Sequence, residues 1–209
     1  MEEVLGRLQF ALVEIAFIIG IRGTQGMGGG IGLTQPHPGH HNVPEQVQVA
    51  GGIGQGFVLT NPFQLAVMTS IIASNGKMVE PTIIKSDETN FQTNEKYLKE
   101  IKIVKKAMFK VVNENKGTAF KSRLENIKFA GKTGTSQVRR ISLSERESDD
   151  FREKEQEWKN RDHALFVGYM PYDDPKYSIS VIIEHGGSGA STAAPIAKQI
   201  FNYINELEV

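Results

Sequence analysis

Three stretches of the chain carry apolar residues at helical spacing, and three shorter ones carry them in strand-like runs. The first helical stretch is Val58–Ser74, where Leu65, Met68, Ile71 and Ile72 fall on one face. Thr60 or Asn61 can cap it, Pro62 suits its first turn, and Asn75-Gly76 closes it. The second covers about residues 95–114 through Leu98, Ile101, Val104, Met108 and Val111-Val112, and stops near Asn115-Lys116-Gly117. The third is Ser191–Glu206, with Ile196, Ile200, Tyr203 and Ile204 at core spacing. Between the last two lie the strand-like runs Phe129–Val138, Asp162–Pro171 and Tyr177–Glu184. The turn Pro171-Tyr-Asp-Asp-Pro175 predicts an antiparallel hairpin for the final pair.

The remaining segments are less regular. Residues 1–21 read as a short apolar helix, and residues 22–56 concentrate glycine with Pro36, Pro38 and Pro44, the composition of a long loop. That loop holds His37, His40 and His41 without a carboxylate or cysteine at ligand spacing, so it reads as solvated chain rather than a metal site. Residues 139–161 are dense in charge, with Phe151 and Trp158 their large aromatics, and read as a solvated excursion between paired strands. Helices first and then β-β-β-α predict an α+β fold: a mainly antiparallel sheet covered by helices.

Composition narrows the function classes. Lys plus Arg and Asp plus Glu both number 24, so no global charge points to nucleic acid. With no cysteine in 209 residues, disulfides and thiolate chemistry are excluded. The apolar run Leu12–Ile21 is about half a spanning length and carries Glu14, which predicts a core helix and no membrane span.

Candidate chemistry concentrates in Lys128–Val138, KFAGKTGTSQV. Gly131-Lys132-Thr133 has the ending of a phosphate-binding loop, but Asn126 stands where that pattern requires glycine, and the intervening residues are strand-like. On a strand, alternation puts Lys132 and Gly134 on one face and Thr133 and Thr135 on the other. Gly134 then lets another backbone approach, so an extended peptide can pair along the edge. Lys132 supplies positive charge, and a threonine hydroxyl can hydrogen-bond a terminal carboxylate. Both threonines are therefore expected on an accessible edge.

Lys132-Thr-Gly-Thr resembles the third motif of the penicillin-recognising serine acyltransferases, whose set is S-x-x-K, S-x-N and K-T-G. Longer blocks resemble the transpeptidase domain of the class B penicillin-binding proteins, within them the penicillin-binding protein 2 branch of the elongation system. Gly52–Ala66, GIGQGFVLTNPFQLA, is similar to that family's I-G-Q-G-x-V-L-T-T-P-x-Q-L-A. Lys132–Val138 is similar to its K-T-G-T-[AS]-Q-V, and Asp162-His-Ala-Leu-Phe-Val-Gly-Tyr-Met-Pro171 to its R-D-H-A-L-F strand. Glu184–Pro195 is similar to its E-N-G-G-x-G-G-x-x-A-A-P turn. The resemblance spans about residues 52–205 and matches residues 1–51 poorly. It implies part of the transpeptidase fold shared with serine β-lactamases, over residues 52–209.

By that resemblance Lys132, Thr133, Gly134 and Thr135 bind a peptidoglycan stem peptide or a β-lactam, and the Thr135 N–H is one oxyanion-hole donor. It further implies peptidoglycan D,D-transpeptidation at the periplasmic face of the bacterial inner membrane, with no cofactor, metal or nucleic acid. The nucleophile is another matter. The chain's S-x-x-K string is Ser74-Asn-Gly-Lys77, at a helix end where the family has a turn, and no S-x-N occurs. The expectation is a C-terminal portion of such a domain, inert alone, with no catalytic residue of its own. It would act with an upstream half or as a non-catalytic binding remnant; a serine β-lactamase-like protein is a further alternative.

Overall fold

The computed structural model describes residues 60–79, 81–82, 91–93, 97–138 and 157–207. The elements expected over residues 1–51, with the His37–His41 loop, and over residues 139–156 lie outside them. The chain divides into two compact units between Met108 and Phe109.

In the first unit, helix α1 is Pro62–Ala73. Asn61 and Gln64 form a capping box: the Gln64 N–H donates to Asn61 Oδ1 and the Asn61 N–H to Gln64 Oε1, both at 2.9 Å. The far end closes in a Schellman turn. Asn75 is left-handed (φ 59°), the Gly76 N–H donates to the Ile71 carbonyl at 2.8 Å and the Asn75 N–H to the Ile72 carbonyl at 3.2 Å. Thr69, Ile71, Ile72 and Ala73 are buried, while Leu65 and Met68 are half-buried. So few polar residues lie in PFQLAVMTSIIA that periodicity alone fixes its inner face poorly. Strands β1 (Lys77–Val79) and β2 (Phe91–Thr93) pair antiparallel. At three residues each, they are too short to leave a pattern in the sequence.

Helix α2, Leu98–Asn113, follows its predicted stripe, with Ile101, Val104, Met108 and Val112 buried. Within the first unit, Lys105 Nζ donates to the Ala73 carbonyl at 2.7 Å and to Asn75 Oδ1 at 2.9 Å. A cation at the C-terminal carbonyls of α1 complements the helix dipole.

The second unit holds a three-stranded antiparallel sheet: β3 (Ala130–Ser136), β4 (His163–Met170) and β5 (Tyr177–Ile183), in that spatial order. The β4–β5 hairpin is the predicted one, with Met170 opposite Tyr177. Helix α3 is Ala194–Leu207, entered through a π turn over Gly189–Ala193. Phe129, Phe166, Val181 and Ala164 pack with Ala194, Ala197 and Phe201 in one core. Of the expected α3 core residues, Ile196 and Ile204 pack against it, but Ile200 and Tyr203 are 40% and 62% exposed. Ala194 and Ala197 explain the shift: small side chains bring the helix close, so the contact stripe runs 194-197-201-204.

Candidate functional site

Residues Lys132–Thr135 sit inside β3, opposite Val167, Phe166, Leu165 and Ala164 of β4. Lys132-Thr133 therefore lies in a strand, not at a helix N-terminus, and the phosphate-loop reading falls. Among the described residues β3 pairs with β4 alone, so its other edge carries no strand.

Each side chain of the motif has a distinct environment. Lys132 is half-buried; its Nζ donates to the Thr133 carbonyl at 2.6 Å, and burial pushes its pKa below the usual lysine value. Thr135 is exposed, as expected. Thr133 is not: 9% of it is accessible, because it lies opposite the buried Phe166 and its hydroxyl sits 2.8 Å from the Thr118 hydroxyl. The expected pair of open threonines is thus one open and one covered. Sequence reading missed Thr118, a single hydroxyl in a turn after α2, and no spacing signal marks it.

Gly134 is met from the neighbouring turn. A Cβ at Gly189 would lie 2.2 Å from the Gly134 carbonyl oxygen and 2.4 Å from that of Leu165, so only glycine fits this close approach. The turn is held by Thr192 Oγ1 donating to the Gly186 carbonyl and by the Gly187 N–H donating to the Asp162 carbonyl, each at 2.8 Å. Beside it the His185 N–H donates to His163 Nδ1 at 2.9 Å, and Trp158, 63% exposed, has its ring centroid 4.5 Å from that of His185. The blocks Asp162–Pro171 and Glu184–Pro195 thus converge on β3.

Ser74 has different surroundings. Its hydroxyl lies 3.3 and 3.2 Å from the Ile71 and Lys77 carbonyls, which share its one proton, at the Schellman end of α1.

The sequence profile of the penicillin binding protein transpeptidase domain matches residues 23–202. The chain belongs to this transpeptidase family. Within the family it is similar to the peptidoglycan D,D-transpeptidase MrdA of Haemophilus influenzae, 35% identical over 167 residues, which are 74% of this chain and 25% of that protein. The Acinetobacter baumannii protein of the same name is 34% identical over 170 residues, 74% of this chain and 24% of its own. Among solved structures, penicillin-binding protein 2 of Helicobacter pylori in complex with MreC superposes with TM-score 0.63 at 30% identity, covering 76% of this chain and 27% of that one. Pseudomonas aeruginosa penicillin-binding protein 2 in complex with WCK 5153 gives 0.58 at 29%, covering 75% and 33%. The chain spans about a quarter of the length of the curated relatives it matches. The transpeptidase fold and the penicillin-binding protein 2 branch agree with the blocks read from the sequence. Among the described residues no helix is long and apolar enough to cross a membrane.

Proposed function

We propose that Lys132–Thr135 forms one wall of a serine-type peptidoglycan D,D-transpeptidase site. It receives an extended stem peptide, or a β-lactam, and holds its terminal carboxylate. The observation that carries this reading is the placement of the motif on a sheet edge that no other described strand pairs, with a half-buried lysine amine beside it. An extended ligand gains main-chain hydrogen bonds along such an edge, and a partly desolvated cation attracts a carboxylate more strongly than a solvated one. The Thr135 N–H serves as one oxyanion donor, worth orders of magnitude in rate where such a hole is complete. The setting is peptidoglycan cross-linking at the periplasmic face of the bacterial inner membrane.

The acyl-accepting serine is not in this chain on our reading. A nucleophilic hydroxyl requires a base beside it, whereas the single proton of the Ser74 hydroxyl faces the Ile71 and Lys77 carbonyls. This favours two versions of the function: the wall works with a chain that carries S-x-x-K, or it binds without chemistry.

Incubation of the purified chain with a fluorescent penicillin, followed by denaturation and mass spectrometry, is expected to give no stoichiometric adduct. An adduct on Ser74 would overturn the assignment of the nucleophile elsewhere. Adding a second chain that bears S-x-x-K separates the two versions: labelling that then appears on the added serine supports the shared site, and continued silence supports binding alone. The wall itself is tested by a peptide ending in D-alanyl-D-alanine, which should bind more tightly as the free carboxylate than as the carboxamide. Equal affinity for the two forms sinks the carboxylate role.

A further inference from the structure

Thr118 lies at the turn after α2, far from the motif in sequence, yet its hydroxyl is the hydrogen-bond partner of Thr133. The turn is not a loose one. The Gly117 N–H donates to the Glu114 carbonyl at 2.8 Å, the Ala119 N–H to the Val111 carbonyl at 3.0 Å and the Phe120 N–H to the Gly117 carbonyl at 3.1 Å. Ala119 is 1% exposed, in the same core as Phe129 and Phe166. Thr118 itself is exposed, but its backbone is fixed by neighbours on both sides.

We infer that Thr118 is a positioning residue for the substrate wall: its hydroxyl donates to Thr133 Oγ1 and so directs the Thr133 proton to the bound carboxylate. The inference rests on the proposed role of the KTGT strand. Its chemistry follows from donor counting. An ionised carboxylate only accepts, so a threonine that binds it must give its one proton to it. Thr133 can then receive a hydrogen bond but not make a second, and Thr118 stands 2.8 Å away, an ordinary O–H···O distance. With Thr118 donating, the chain Thr118 O–H to Thr133 O–H to carboxylate runs in one direction, and each bond polarises the next. With the pair reversed, Thr133 would turn a lone pair to the anion.

A tether between the α2 turn and β3 would need the same hydrogen bond for stability alone. The two roles differ in what they discriminate. A tether contributes equally whether the ligand ends in a carboxylate or a carboxamide, whereas a proton-directing hydroxyl favours the carboxylate.

The test uses the full chain and a peptide ending in D-alanyl-D-alanine, as free acid and as carboxamide, with affinities from isothermal titration. The quantity read is the ratio of the two dissociation constants, for the native chain and for Thr118→Val, Thr118→Ser, Thr133→Val and the Thr118→Val/Thr133→Val double variant. Thr118→Val should cut the ratio by about fivefold, the worth of one net hydrogen bond. Thr118→Ser, which keeps the hydroxyl, should restore it. The double variant should match Thr133→Val, because Thr118 acts through Thr133. A Thr118→Val ratio equal to native, beside a reduced Thr133→Val ratio, overturns the inference and leaves the wall standing. A further loss in the double variant also overturns it, because Thr118 would then touch the ligand by itself. No preference for the acid in the native chain removes both the wall and the inference.

Discussion

Two places in the molecule carry a short string from the same catalytic vocabulary, and their surroundings part them. Lys132-Thr-Gly-Thr135 lies in the middle of an edge strand, with its lysine half-buried and one threonine open to solvent. Ser74-Asn-Gly-Lys77 lies where α1 stops, with Asn75 and Gly76 in left-handed conformations and the serine hydroxyl donating to carbonyls. The first string leaves Thr135 open and Lys132 half-buried beside a covered Thr133; the second uses its groups to end a helix. A motif has chemical meaning only through what its backbone conformation lets the side chains face.

The largest effect is expected at Lys132. Lys132→Met should weaken binding of a carboxylate-ended peptide by about tenfold or more, since hydrogen bonds to charged groups contribute about 1.5–3 kcal/mol. Lys77→Met should leave that affinity unchanged, and equal losses in the two variants would erase the contrast.

The same residue predicts a pH dependence. Burial lowers the Lys132 pKa from the ordinary 10.5, so the ammonium is lost at a lower pH than in a solvated lysine. Carboxylate affinity should fall as pH rises through that lowered value. For stability the sign is opposite. Between the lowered pKa and 10.5 the unfolded chain holds the extra proton, so stability rises with pH there; below the lowered pKa the cost of burying the charge is present in full. Titration of both quantities in the native chain and in Lys132→Met checks this, and a midpoint at or above 10.5 contradicts it.

Smaller effects test the backbone devices. Gly189→Ala places a Cβ against the Gly134 and Leu165 carbonyls and should destabilise the chain by about 1–3 kcal/mol, read by denaturant melts. Gly76→Ala, at φ 87°, should cost about 1–2 kcal/mol by forcing a side chain into the left-handed region. Of the two, only Gly189→Ala is expected also to alter carboxylate affinity, because it pushes on the motif strand. Ser74→Ala should change stability by about 0.5 kcal/mol or less and leave ligand binding intact. A large binding loss in Ser74→Ala would place the two strings in one site and end the comparison.

The sequence by itself determined the elements whose physics is local. Alternation and the Pro171–Pro175 turn specified the β4–β5 hairpin, apolar spacing specified α2, and Asn61, Pro62 and Asn75-Gly76 bounded α1. Those signals come from capping, turn chemistry and periodicity, which act over a few residues. The KTGT motif and the blocks around it were legible too, since they are contiguous strings. Only the tertiary structure decided the rest. It chose the 194-197-201-204 stripe of α3 over Ile200 and Tyr203, because close approach of two alanines outweighs the size of the larger side chains. It covered Thr133 while leaving Thr135 open, seated Gly189 on Gly134, and brought Thr118 to within 2.8 Å of Thr133. These depend on which distant residues meet, and a chain read one position at a time carries no record of such meetings.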